Sequence, residues 1–215
     1  MYMIMYAEVF KDGVWHKVDK CFKSAYPAMQ GQLTDRVCDE YNPILFELFT
    51  GIHQSQNKNL TKIDIIAKTD GLPTDVSSDI ADKTSILLQS NYNGAFLTLS
   101  DLINYNWDAY ISEVGIISEW QYKRLKKDCI WPANINRRVL YENSKVISPF
   151  EMDMILKDKS LRDCDLYYVR FEYNAMSITD RCKFFCEEAI PALIKLTPKN
   201  GSYDDVRIVY VYKES

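Results

Sequence analysis

His16 and His53 are the only histidines in this 215-residue chain, so any imidazole base must be one of them. A serine-type hydrolase needs a nucleophile, a base and an orienting acid. His16 falls within a strand-like run and His53 in a polar stretch, and the sequence ties neither to a nucleophile. There is no Gly-x-Ser-x-Gly elbow, P-loop, Gly-x-Gly-x-x-Gly turn or His-Glu-x-x-His helix. Glu187-Glu188 and Asp204-Asp205 are paired carboxylates, but adjacent side chains point apart on a helix or strand, which suits neither pair to acid–base work. Cys182 and Cys186 would share one helical face, yet both histidines lie far from them and no Cys-x-x-Cys spacing occurs. The six cysteines therefore read as reduced thiols of a cytosolic protein, mostly small core residues. The expectation is a chain that is not an enzyme and holds no metal or cofactor.

Recognition chemistry is better represented. Tyr41, Asn42, Tyr92, Asn93, Arg137, Arg138 and Arg207 are the types that bind nucleotides: aromatic rings stack on a base, guanidiniums meet phosphates and amides read base edges. Arg207 stands among apolar residues in a C-terminal strand, so it must either pair with a carboxylate, for which Asp35 and Asp75 are candidates, or reach a ligand at the sheet's end. The 15 tyrosines offer broad contact surface with a polar tip, which fits amphipathic core edges or a surface that anchors a protein partner.

The elements that must position these residues are legible in part. Residues 2–10 and 14–22 read as two strands joined at Asp12-Gly13, a tight hairpin turn. Residues 23–40 are mixed and turn-rich and are expected to cross the surface. Asn42 caps and Pro43 opens a short helix over 44–49 that Gly51 ends. Residues 53–62 read as a polar loop. In Gly71-Leu-Pro-Thr-Asp-Val-Ser77, Gly71 permits an unusual backbone angle, Pro73 stiffens the chain, and Asp75 or Ser77 is expected to cap the next helix. Phe96–Leu99 reads as a strand, followed by a helix capped by Ser100 and running through Trp107. Residues 111–117 read as a strand, 119–128 as a charged helix, 129–150 as irregular, and 150–158 as a short helix. Residues 166–173, 177–196 and 205–212 read as strand, helix and strand, with Pro191 straining the helix. That order predicts a βαβ unit with parallel strands. The fold class expected is α+β, a single domain over 1–215, with a mixed sheet, an N-terminal hairpin and helices packed on the sheet.

The formal net charge of −4 argues against a general nucleic-acid binder. No stretch is long and apolar enough to cross a membrane, and the start lacks the basic and apolar regions of a signal peptide, so a cytoplasmic protein is expected.

Taken in order, Asp12-Gly13-Val14-Trp15, Leu33-Thr34-Asp35, Tyr41-Asn42 with Leu45-Phe46, Gly71 to Ser77, Leu97-Thr98-Leu99 with Leu102 and Trp107, and Asp204 to Val209 resemble a broad group of phage-encoded accessory proteins of tailed phages and prophages. The likeness spans nearly the whole chain. Most of that family has no assigned function, so the resemblance implies an intracellular, non-structural viral protein acting in host takeover or counter-defence. Relatives carry a histidine-rich stretch before Leu-Thr-Leu; here Asn91 to Phe96 has none, so no histidine or metal chemistry carries over. The mode expected first is a non-catalytic sponge that sequesters a nucleotide-derived immune signal, such as a cyclic dinucleotide or an ADP-ribose derivative, through the seven residues above; the alternative is an inhibitor that binds a host defence protein, with no small-molecule ligand. Self-association as a homo-oligomer is compatible with both.

Overall fold

The computed structural model describes residues 2–29, 32–52, 61–130, 132 and 143–213. In chain order the elements begin with β1 (Tyr2–Lys11), β2 (Val14–Lys17), β3 (Phe22–Lys23), β4 (Leu33–Thr34), α1 (Pro43–Thr50), β5 (Thr69–Asp70), α2 (Ser78–Gln89), β6 (Asn93–Thr98) and α3 (Leu99–Asn104). They continue with β7 (Tyr110–Ser118), α4 (Glu119–Asp128), β8 (Ser144–Ile147), α5 (Pro149–Lys157), β9 (Leu166–Ser177), α6 (Ile178–Arg181), α7 (Ile190–Leu196) and β10 (Val206–Lys213). The fold is α+β. Two compact units are present, one of Met1–Ser55, Ile63–Ala109 and Ser177–Ser215, the other of Gln56–Lys62 and Tyr110–Met176.

The first unit is built on an antiparallel sheet in the order β2-β1-β10-β6-β5. Asp12 and Gly13, both at positive φ, form the expected two-residue turn, with Lys11 opposite Val14. β2 ends at Lys17, short of the expected 22, because residues 22–23 leave to pair with Leu33–Thr34. β10 is central and covered on both faces, so its residues from Val206 to Tyr212 are all buried. One face carries Ile4, Tyr6, Val209 and Val211 against Ile80 of α2. On the other, α1 packs Phe49 edge-on to Tyr210 and Phe185, and the Tyr210 hydroxyl donates to the Phe49 carbonyl at 2.7 Å.

The βαβ expectation is corrected. β9 belongs to the second unit's sheet, while β10 runs antiparallel between β1 and β6. Strand–helix–strand order fixes a parallel pair only when both strands enter one sheet, and β10 is instead claimed by the complementary faces of β1 and β6. The long helix is also divided into α6, a π-helical turn at Phe185–Ala189, and α7. Pro191 supplies no amide to the turn before it and its ring crowds that turn, which accounts for the widened segment there. Residues 36–38 do not simply cross the surface: the Val37 amide donates to the Met5 carbonyl at 3.0 Å, and Val37 and Cys38 are buried. Thr98, not Ser100, caps α3, in a reciprocal box with Asp101, and α3 stops at Asn104 before Trp107.

The second unit has a mixed sheet in the order β7-β9-β8, with β8 parallel to β9. β8 was not expected within the irregular 129–150 stretch. α4 matches its expected span of 119–128, and α5 begins at Pro149. Their core joins Ile117, Tyr122, Ile147, Met152, Tyr167 and Val169.

Candidate functional site

Arg207 resolves first, because strand register decides its partner. β1 and β10 place Glu8 directly opposite Arg207 on the face that α2 covers. Glu8 is 0% exposed and Arg207 4%. Arg207 Nε donates to Glu8 Oε2 at 2.7 Å, and the other Glu8 oxygen accepts the Ser77 amide at 2.7 Å. Arg207 NH1 donates to Asp75 Oδ1 at 2.8 Å and NH2 to the Asp75 carbonyl at 3.2 Å. Trp15 Nε1 donates to the remaining Asp75 oxygen at 3.0 Å, and its ring lies 3.9 Å from the guanidinium carbon. A buried ion pair is tolerated only when its remaining polar groups are satisfied; here both carboxylates have two partners. Arg207's hydrogen bonds hold the Asp75 carboxyl below the ordinary aspartate range, against a smaller opposing effect of burial. The arginine therefore latches the Gly71–Ser77 loop to the sheet.

This arrangement corrects the capping expectation. Asp75 is spent on Arg207 and Trp15. Ser77 occupies the cap position of α2, but its hydroxyl makes no capping bond and is buried without a partner among the described residues. Of the two candidate partners for Arg207, Asp75 is one; Asp35 pairs with Lys17 at 3.1 Å and Lys83 at 2.5 Å. Burial opposes ionisation of Asp35, but the hydrogen bonds from both lysines leave its carboxyl below the ordinary value.

Tyr41 and Asn42 lie elsewhere, beside the stretch of β1 that β2 does not reach. They line a hollow of about 70 Å³ together with Tyr2, Tyr26, Arg36 and the Asp39-Glu40 pair. Tyr2, Tyr26 and Tyr41 are 45%, 50% and 56% exposed. The Asn42 side chain is committed: its oxygen accepts the Ile44 and Leu45 amides, and its nitrogen donates to the Arg181 carbonyl at 2.8 Å. Asp39 is likewise satisfied, accepting from the Ser24 hydroxyl at 2.6 Å and the Ala25 amide at 2.7 Å. The Glu40 side chain makes no hydrogen bond or ion pair among the described residues. Glu40 is exposed, and partial desolvation of its carboxyl and then the Asp39 charge push it above the ordinary value. Burial drives the neighbouring Cys38 thiol up to about 12, which leaves it protonated and inert at neutral pH.

No protein-family model, curated protein or solved structure matches this chain. The site is therefore read from its own residues. Tyr92 does not line the hollow but packs against the α2 cluster, edge-on to Tyr2 at 6.2 Å, and Lys213 lies 5.4 Å from its centroid. Asn93 is exposed at the start of β6, opposite Tyr212. Four of the seven expected ligand residues thus fall towards one end of the sheet. Arg207 lies five residues from Tyr212 along β10, towards the other end, and Arg137 and Arg138 are outside the described residues, as is His53. Sequence reasoning missed Glu8, Tyr2, Tyr26, Arg36, Asp39 and Glu40. Strand parity could have found Glu8, which alternates with Tyr6 and Ile4 on the covered face; the carboxylates adjoin Tyr41 directly in sequence. Among the described residues no cluster of three or more His, Cys, Asp or Glu could hold a metal, and no helix could cross a membrane.

Proposed function

We propose that this chain is a non-catalytic binding protein that occupies a protein partner through the tyrosine-rimmed hollow of its first unit. In the setting its sequence motifs suggest, that of a phage accessory protein, the partner is a host defence factor. The observation that carries the reading is the grouping of Tyr2, Tyr26 and Tyr41, each about half exposed, around one small hollow. Tyrosine supplies large contact area at little entropic cost and is enriched among the residues that dominate interface energies. A hollow of about 70 Å³ also receives a side chain more readily than a nucleotide, because small-molecule sites run from about 300 Å³.

The test is retention of a host protein from cell extract by the purified chain and by a Tyr26→Ala/Tyr41→Ala variant of unchanged melting temperature. The wild type is expected to retain a stoichiometric partner and the variant to lose it. Equal retention by both would end this reading.

A second reading is favoured by Arg36, whose side chain lines the hollow without an ion pair among the described residues. It could meet an anion, as a sponge for a nucleotide-derived signal requires. Calorimetry with cyclic dinucleotides and ADP-ribose derivatives separates the readings. A sponge binds its ligand without turning it over, and at about 100 times the dissociation constant the ligand adds about 2.7 kcal/mol of stability.

A further inference from the structure

The chemistry of the hollow narrows what it can receive. Two adjacent carboxylates line it in unequal circumstances. Asp39 is held by the Ser24 hydroxyl and the Ala25 amide. Glu40 has no such partner among the described residues, and the charge that acts on it is the like charge of Asp39. Glu40 is exposed, so a cation brought from outside can reach it, and a carboxylate beside a second like charge is relieved by one. Arg36 lines the same hollow, but among the described residues no ion pair joins it to Glu40 and no cation offsets the effect of Asp39. The same hollow is lined by three half-exposed tyrosines. Aromatic faces attract cations, and a guanidinium, planar and weakly hydrated, stacks on them more readily than an ammonium does. The first unit as a whole has the same sign, with 20 Asp and Glu against 13 Lys and Arg.

We propose that the hollow between Tyr2, Tyr26 and Tyr41 seats an arginine side chain of the partner protein, with Glu40 as its counter-ion. The guanidinium lies against the tyrosine rings and donates to the free carboxylate, while Asp39, fixed by Ser24 and Ala25, contributes charge without moving. The small volume then acts as a filter: one side-chain head enters, and the partner's backbone stays outside on the tyrosine rim.

This inference rests on the protein-partner reading, but the two can fail separately. The probe is acetyl-arginine methylamide, titrated into ¹⁵N-labelled full-length protein and followed by amide chemical shifts. Acetyl-citrulline methylamide, of the same shape and no charge, is the control. The arginine probe is expected to shift the amides of Tyr2 and residues 36–42, and citrulline to bind at least about tenfold more weakly. Glu40→Gln should weaken the arginine probe to the citrulline level at an unchanged melting temperature, and Arg36→Ala should leave it as strong or stronger. Three results would overturn the proposal: equal shifts from both probes, no shift from arginine, or loss of arginine binding in Arg36→Ala with none in Glu40→Gln. If the arginine probe behaves as expected while host-protein retention ignores Tyr26 and Tyr41, the seat stands and the functional reading falls. If retention needs the tyrosines but is indifferent to Glu40→Gln, the functional reading stands and the arginine seat falls.

Discussion

At the scale of single residues, Glu8 and Arg207 show that a buried charge is defined by what it leaves behind. Removing Arg207 leaves the buried Glu8 carboxylate without its cation, which costs about 3–5 kcal/mol, whereas removing Glu8 leaves Arg207 still paired with Asp75. Arg207→Ala should lose that much in urea unfolding and Glu8→Ala less. A Glu8→Leu/Arg207→Met double variant should lose far less than the sum of the two, because no buried charge is left unpaired and Asp75 is exposed to solvent. Simple additivity would show that the pair is not coupled. The outer member of the network titrates. Asp75's carboxyl is depressed by Arg207, so its contribution is fully present above the unfolded-state value and is lost as pH falls through the lower folded-state value. Protection of the amides of residues 71–77 against hydrogen exchange, relative to the unfolded chain at the same pH, should therefore fall below about pH 4, the ordinary aspartate range. Asp75→Asn should show that low protection across the whole range. A wild-type loop that opened at neutral pH instead would point to a different titrating group.

At the scale of elements, chemical type and position together decide whether a hydroxyl or amide stabilises a helix. Asn42 accepts two amides at the start of α1, and Asn42→Ala should cost about 0.5–2 kcal/mol. Ser77 holds the corresponding place on α2, but its hydroxyl is buried without a partner among the described residues, and the Ser77 amide is taken by Glu8. Ser77→Ala should be neutral or slightly stabilising, since it removes an unsatisfied polar group. Thermal unfolding of both variants checks the contrast; a loss in Ser77→Ala as large as that in Asn42→Ala would restore the capping role. The same contrast marks what could be read from sequence. The Asp12-Gly13 turn, the Asn42-Pro43 helix start and the Gly51 stop follow from local backbone preference, and all three appear. Asp75's role does not, because it is fixed by a contact across 132 positions of chain. The hollow was half legible for the same reason: Tyr41 sits on local sequence, whereas Tyr2 and Tyr26 arrive only when residues 36–39 line up along β1.

At the scale of the whole molecule, the two units differ in composition as well as in core. The second carries 13 Lys and Arg against 10 Asp and Glu, opposite in sign to the first. Its hydrophobic cluster draws on Ile117, Tyr122, Ile147, Met152, Tyr167 and Val169, whereas α2's cluster in the first draws on Ile4, Tyr6, Ile80, Val209 and Val211. Nothing in the sequence announced this division, since the chain leaves the first unit and returns to it, and no Gly/Pro-rich linker marks the crossing. Separate cores with separate residues should open as separate cooperative units. Met152 is fully buried in the second cluster, so Met152→Ala should destabilise it by about 2–5 kcal/mol. Native-state hydrogen exchange then distinguishes two outcomes. If the units open independently, amides of β7 and β9 lose protection in the variant while those of β10, buried on both faces in the other core, keep theirs. If protection falls equally in β10, the chain unfolds as one body despite its two cores.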